Sequence, residues 1–131
     1  MTVNILGTEY TVIVGRDGLP ESMDGLCDET VKIIRAEDYK THEKTPDTKQ
    51  NLDVQARKVL RHEIIHAFLF ESGLGENSDW AQNEEIVDWI AIQAPKLIKA
   101  WQEVGALPDK RKVEILDENG NSTGMFKEVE T

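Results

Sequence analysis

Residues 62–66 read His-Glu-Ile-Ile-His and lie inside the most regular apolar repeat of the chain. From about position 51 to position 70, apolar residues recur mostly three and four residues apart, which is typical of a helix with one buried face. They are Leu52, Ala56, Val59, Leu60, Ile64, Ala67, Phe68 and Leu69. Gly73 follows the repeat, as expected for a C-terminal cap. Because residues four apart share a helix face, this helix must carry both histidines on one face.

An HExxH motif on a helix predicts a zinc site. Two imidazoles on one face can share a zinc ion at about 2.0–2.1 Å each. Glu63 directly follows His62, so its carboxylate lies beside the metal, where a general base can take a proton from activated water. A pair of hydrogen-bonded core histidines is the alternative. However, two of the three histidines of the chain fall in this motif, within an apolar stretch where burying unpaired polar groups is costly.

A third ligand is expected, because catalytic zinc usually has three protein ligands and a water. Residues 80–103 form a second helical segment, in which the letters NEEIVD follow a short connector. Glu84 shares the stripe of this helix that continues through the apolar Val87 and Ala91, whereas Glu85 lies on a more polar face. We therefore predict Glu84 as the third ligand, with Glu85 as the alternative.

Three further side chains bear on the site. Asp88 lies one turn after Glu84, and its carboxylate could accept the free N–H of a ligating histidine. An exposed helix carboxylate is the alternative for Asp88. Cys27 is a candidate fourth ligand, although a partly buried small hydrophobic residue is the simpler interpretation. A ligand from the His42 loop would close the site and indicate a structural metal.

HEIIH followed by NEEIVD resembles the gluzincin pattern of thermolysin-type zinc peptidases. In that family, a helix bearing HExxH precedes a second helix with a ligand glutamate in NExxxD. The resemblance implies zinc-dependent hydrolysis of peptide bonds in a peptide or protein substrate. It implies the following site residues: His62, His66 and Glu84 as zinc ligands, Glu63 as general base, and Asp88 as the carboxylate that hydrogen-bonds a ligating histidine.

Two longer segments also resemble small metallopeptidases encoded by phages and prophages: LRHEIIHAFLFESGL and NEEIVDWIAIQ. The expected arrangement of strands and helices is similar to that of minimal peptidases of the ImmA/IrrE type. This resemblance covers about residues 30–103 and puts Glu85 at the ligand position. Thermolysin-like enzymes have a large second domain that supplies an oxyanion donor, for which this chain has no room. The donors that remain, which the sequence does not rank, are Tyr10, Tyr39 and His42.

The segments around the motif predict an α+β fold, with a small three-stranded sheet packed on the two metal-bearing helices. Residues 1–14 are typical of a hairpin, residues 15–28 of a loop, and residues 30–36 of a third strand at the edge of the cleft. An Asn-Gly pair within residues 112–131 predicts a hairpin, with a flexible tail as the alternative. We expect residues 1–131 to form one domain.

The chain has 25 acidic and 15 basic residues, for a formal net charge of -10. Nucleic acids and anionic membranes attract basic surfaces, so this composition predicts no partner of either kind. It also disfavours acidic substrates. A single cysteine, no apolar run of about 20 residues and no signal peptide indicate a cytoplasmic protein. The competing hypothesis is a phage accessory or interaction protein whose metal site is structural or vestigial.

Overall fold

The computed structural model describes residues 1–108 and 110–130. Its helices and small mixed sheet confirm the predicted α+β class. The chain divides into two compact units, Met1–Gln93 and Ala94–Thr131. The prediction of a single domain stays a prediction.

The first unit contains a four-stranded mixed sheet with the strand order β1-β2-β4-β3. Strands β1 (Thr2–Ile5) and β2 (Thr8–Val14) form the predicted antiparallel hairpin. Strand β4 (Ile33–Ala36) pairs in parallel with β2. On its other side, β4 pairs antiparallel with β3 (Gly25–Asp28), which forms one edge of the sheet.

Two sequence predictions about this sheet are wrong. Strand β3 lies within residues 15–28, which the sequence assigns to a loop, so the sheet has four strands instead of three. The strand predicted over residues 30–36 begins at Ile33 and lies inside the sheet, not at its edge. All of β3 is half-buried, so it lacks the alternation of buried and exposed positions that identifies a strand in a sequence.

Helix α1 spans Leu52–Glu71, close to its predicted bounds. The side chain of Asn51 accepts a hydrogen bond from the Val54 backbone N–H and so caps the first turn. Gly73 has a φ of 82°, a left-handed conformation that ends a helix at little cost for glycine. The HExxH motif therefore lies well inside a regular helix.

Three elements follow α1: helix α2 (Leu74–Asn77), a 3₁₀ turn (Asp79–Gln82) and helix α3 (Glu84–Glu103). Asn83 caps α3, because its Oδ1 accepts a hydrogen bond from the Ile86 backbone N–H at 3.1 Å. The helix thus begins at Glu84, later than the position 80 that the sequence predicts. This cap places Glu84 in the first turn of α3.

Helix α1 is packed on two sides. The cluster on the sheet side contains Ile5, Tyr10, Val12, Ile34 and Ala67. The second cluster contains Leu69, Ala81 and Val87, and through it the first turn of α3 packs against α1. Among the residues that the structure describes, none of the helices has the length and apolarity that a membrane span requires.

The second unit contains a β-hairpin of strands β5 (Lys110–Leu116) and β6 (Ser122–Glu130), which pair antiparallel. Gly120 in its turn has a φ of 81°, the left-handed conformation that favours glycine. The hairpin predicted within residues 112–131 is therefore confirmed, while position 131 lies outside the described residues.

Candidate metal centre

Donor atoms of three side chains come together between α1 and the start of α3. His62 and His66 lie one turn apart on α1, and Glu84 is the first residue of α3. His62 Nε2 lies 2.8 Å from Glu84 Oε2, and His66 Nε2 lies 3.1 Å from Glu84 Oε1. The two imidazole Nε2 atoms are 3.1 Å apart. The structure thus brings together the three residues that the sequence predicts as zinc ligands.

These donor atoms fit a tetrahedral zinc ion. Ligands at about 2.0–2.1 Å from zinc in a tetrahedron are about 3.3–3.4 Å from one another. The observed separations are close to this edge length, and small rotations of the side chains would match it. Among the described residues, no further histidine, cysteine or acidic side chain joins the group. Two imidazoles and one carboxylate are a donor set that catalytic zinc uses in proteins.

Asp88 orients the first histidine. Its Oδ1 atom lies 3.2 Å from His62 Nδ1 and 3.4 Å from Lys58 Nζ. A carboxylate at Nδ1 favours the tautomer that carries its proton there, and the lone pair of Nε2 then faces Glu84 and His66. Partial burial acts to raise the pKa of Asp88, but the hydrogen bond with His62 and the charge of Lys58 together hold it below its ordinary value. Asp88 therefore stays ionised and able to accept.

Glu63 is buried beside the ligand group, with 8% of its surface exposed. Within the described chain its carboxylate makes no hydrogen bond and no ion pair. Burial raises the pKa of Glu63 from its ordinary 4.5 to about 7, although His62 opposes the shift. A carboxyl group with a pKa near neutrality is well matched to accepting and returning a proton.

Gly25 on β3 makes room for that carboxylate. A Cβ atom at position 25 would lie 2.7 Å from Glu63 Oε1 and 2.8 Å from Glu63 Cγ, closer than real side chains pack. The φ of Gly25 is not in the left-handed region, so the backbone itself does not demand glycine there. The close approach of β3 to α1 is therefore the reason that position 25 lacks a side chain.

The site opens into a cavity of about 950 Å³. One wall is formed by α1 from Gln55 to Phe70, and the opposite wall by the segment from Met23 to Glu29, which includes β3. At 1.5 Å per residue, the α1 wall is about 22 Å long. The cavity thus combines the face of α1 that carries His62 and His66 with an edge strand.

The sequence candidates for an oxyanion donor lie elsewhere. Tyr10 is fully buried, and its hydroxyl donates to Glu71 Oε1 at 2.7 Å. The Tyr39 hydroxyl donates to Asp24 Oδ2 at 2.8 Å. His42 lines a separate, smaller pocket. Within the described residues, none of these three donors lines the metal cavity.

Two alternative ligands are also separated from the group. Glu85, the next residue to Glu84, contributes no donor atom to it and does not line the cavity in the described chain. Cys27 lines the cavity but is not part of the ligand group. Burial, together with the neighbouring charge of Glu63, raises the pKa of Cys27 to about 12, so its thiol stays protonated.

The sequence alone does not identify Gly25 and Lys58 as residues of the candidate site. Lys58 lies four residues before His62 on the same helix face, and this spacing is a signal that could have found it. Gly25 has no such signal, because its contact with Glu63 joins segments that are far apart in the chain.

Comparison with protein-family models, curated proteins and solved structures finds no match. The chemistry of the site is therefore inferred from the side chains themselves: a His-His-Glu group, a buried carboxyl beside it, and a cavity open to both.

Proposed function

We propose that this protein is a zinc-dependent peptidase. The observation that carries the proposal is the convergence of His62, His66 and Glu84 beside the buried side chain of Glu63. The resemblance of HEIIH and NEEIVD to gluzincin peptidases supports the same assignment. In this proposal the first three residues bind zinc and Glu63 is the general base.

The role of each residue in the proposed reaction follows from its chemistry. A bound zinc ion supplies Lewis acidity, which makes water nucleophilic near neutral pH and polarises a carbonyl. Glu63 accepts the proton of the attacking water on a carboxylate oxygen and returns it to the leaving amine. Asp88 holds His62 in the tautomer whose Nε2 is free to bind metal.

The cavity suits an extended peptide. Strand β3 is an edge of the sheet and lines the cavity, so a substrate strand can pair with its backbone. An extended chain rises about 3.3 Å per residue, so a wall of about 22 Å spans six or seven substrate residues. We therefore place β3, and not the strand predicted over residues 30–36, beside the substrate.

A structural metal site is the competing proposal. Structural zinc is normally enclosed by four protein ligands, often cysteines. Here the group has three members in the described chain, and the Glu84 side chain is 71% exposed. An open, solvent-accessible ligand set favours catalysis over a purely structural role.

The test is a proteomic digest with zinc-loaded wild-type protein and with Glu63→Gln as the matched control. Glu63→Gln keeps all three proposed ligands and removes only the base. We expect peptide-bond cleavage by the wild type, loss of that cleavage in Glu63→Gln, and loss with a chelator. Identical cleavage profiles from the two proteins would reject peptide hydrolysis at this site, and the accessory-protein hypothesis would then lead.

A further inference from the structure

The two ends of the metal cavity carry different charges. At the end near Gln55, Lys58 lies 3.4 Å from Asp88 and Asp24 is hydrogen-bonded to Tyr39, so each charge has a protein partner. At the other end, α1 finishes at Phe70 and Glu71, and α2 brings Glu76 to the lining.

Glu29 belongs to this second end. It directly follows β3. Gly25 at the start of β3 approaches Glu63, and Cys27 packs against the core cluster that contains Ala67, so β3 runs toward the C-terminal end of α1 and Glu29 follows at that end. Glu29 and Phe70 line the same cavity.

Within the described residues, no lysine or arginine forms an ion pair with Glu29 or Glu76. Neither makes a hydrogen bond or an ion pair within the described part of the chain. Phe70, which also lines the cavity, is half-buried and offers an aromatic surface. Two carboxylates and an aromatic ring that line one cavity suit a lysine or arginine side chain, whose stem can pack on the ring while its charged head meets the acids.

Glu63 is a second observation that this cavity can receive a ligand. Its carboxyl lines the same cavity, is more than nine-tenths buried, and has no hydrogen-bond partner in the described residues. No oxygen of Glu63 is both fully buried and unsatisfied in the described residues, so the carboxyl is accessible to a ligand that enters the cavity.

We propose that Glu29, Glu76 and Phe70 form a subsite for a basic side chain of the peptide substrate, on the side of the metal site toward the C-terminal end of α1. The subsite rests on the proposed function, since it names the substrate class of the same cavity. It makes the protein selective for peptides with lysine or arginine at one fixed distance from the cleaved bond.

Binding to zinc-loaded Glu63→Gln protein tests the subsite without requiring cleavage. The probes are fluorescein-labelled eight-residue peptides of Ala, Leu and Ser that carry one lysine, norleucine or glutamate at each position in turn. Norleucine keeps the stem of lysine without its charge. We expect the lysine peptide to bind about four- to twenty-five-fold more tightly than the norleucine peptide at one position, because two exposed ion pairs contribute about two- to five-fold each.

Variants separate the subsite from the general acidity of the protein. Adding Glu76→Gln should reduce the lysine preference about two- to five-fold, and Glu76→Lys should favour the glutamate peptide instead. Glu21→Gln removes an exposed carboxylate that does not line the cavity and serves as the control. Equal binding of lysine and norleucine peptides, or equal effects of Glu76→Gln and Glu21→Gln, would overturn the subsite.

The subsite and the proposed function fail in different ways. If wild-type protein cleaves lysine and norleucine peptides equally well, the subsite is rejected and the peptidase assignment stands. If the lysine peptide binds preferentially but no peptide is cleaved by the wild type, the subsite is supported and the peptidase assignment is rejected.

Discussion

Asp88 Oδ1 lies 3.2 Å from Nδ1 of His62, on the side of the ring opposite to the atom that faces Glu84 and His66. This contact links α3 to α1 a second time, one turn after Glu84. It places a carboxylate where it fixes the orientation and tautomer of an imidazole in the candidate metal centre. The same geometry lets the role of Asp88 be tested apart from the ligands.

Asp88→Ala should weaken zinc binding about 10- to 100-fold, the usual cost of losing such a hydrogen-bond partner. Competition with a chromophoric chelator measures this directly. Asp47→Ala, at an exposed position that does not line the metal cavity, is the control and should leave the affinity unchanged. An Asp88 variant with wild-type affinity would mean that the contact has no influence on the metal.

Glu84→Ala should weaken zinc binding far more than Glu85→Ala, by at least about 100-fold, because a direct ligand is lost and not only its partner. Adjacent residues differ by about 100° around a helix, so the two carboxylates point in different directions. A metal titration of both variants decides between them. The opposite ranking would move the third ligand to Glu85, as the resemblance to ImmA/IrrE-type peptidases implies.

Gly25→Ala should destabilise the protein by about 1–3 kcal/mol, the usual cost of forcing extra volume into a packed site. The new methyl group would overlap the Glu63 side chain. In a Glu63→Ala background the overlap is gone, so the same substitution should cost little. Denaturant unfolding of the four proteins in the presence of a chelator gives this double-mutant cycle. Equal costs in both backgrounds would show that Gly25 and Glu63 are not in contact.

Much of the site could be predicted from sequence because its signals are local. The apolar period of α1 and the four-residue spacing of His62 and His66 depend only on helix geometry. The choice of Glu84 depends on the stripe it shares with Val87, which the structure finds fully buried. Strand β3 could not be predicted, because its four residues show no alternation and its position is set by pairing with β4.

The end of α1 provides a prediction about pH. Glu71 accepts hydrogen bonds from Lys32 Nζ at 2.7 Å and from the Tyr10 hydroxyl at 2.7 Å, and these contacts hold its pKa below the ordinary 4.5. A carboxyl group with a lowered pKa in the folded state stabilises that state above its unfolded pKa. The stabilisation is lost as the pH falls through the folded pKa.

Glu71→Gln should therefore be less stable than the wild type at pH 7, and the difference should shrink as the pH falls below 4.5. Urea unfolding across this range measures the two free energies of unfolding. Glu9→Gln, at an exposed position on the same sheet, is the control and should show no such trend. A difference that is constant with pH would mean that the ionised form of Glu71 contributes nothing.

In the proposed site, His62 and His66 bind zinc while Glu63 stays free to act as the base. Native mass spectrometry of zinc-loaded protein, which counts metal ions per chain, tests it most directly. We expect one zinc in the wild type and in Glu63→Gln, and none in His62→Ala or His66→Ala. Loss of the metal from Glu63→Gln as complete as from the histidine variants, or its retention by those variants, would contradict this division of roles.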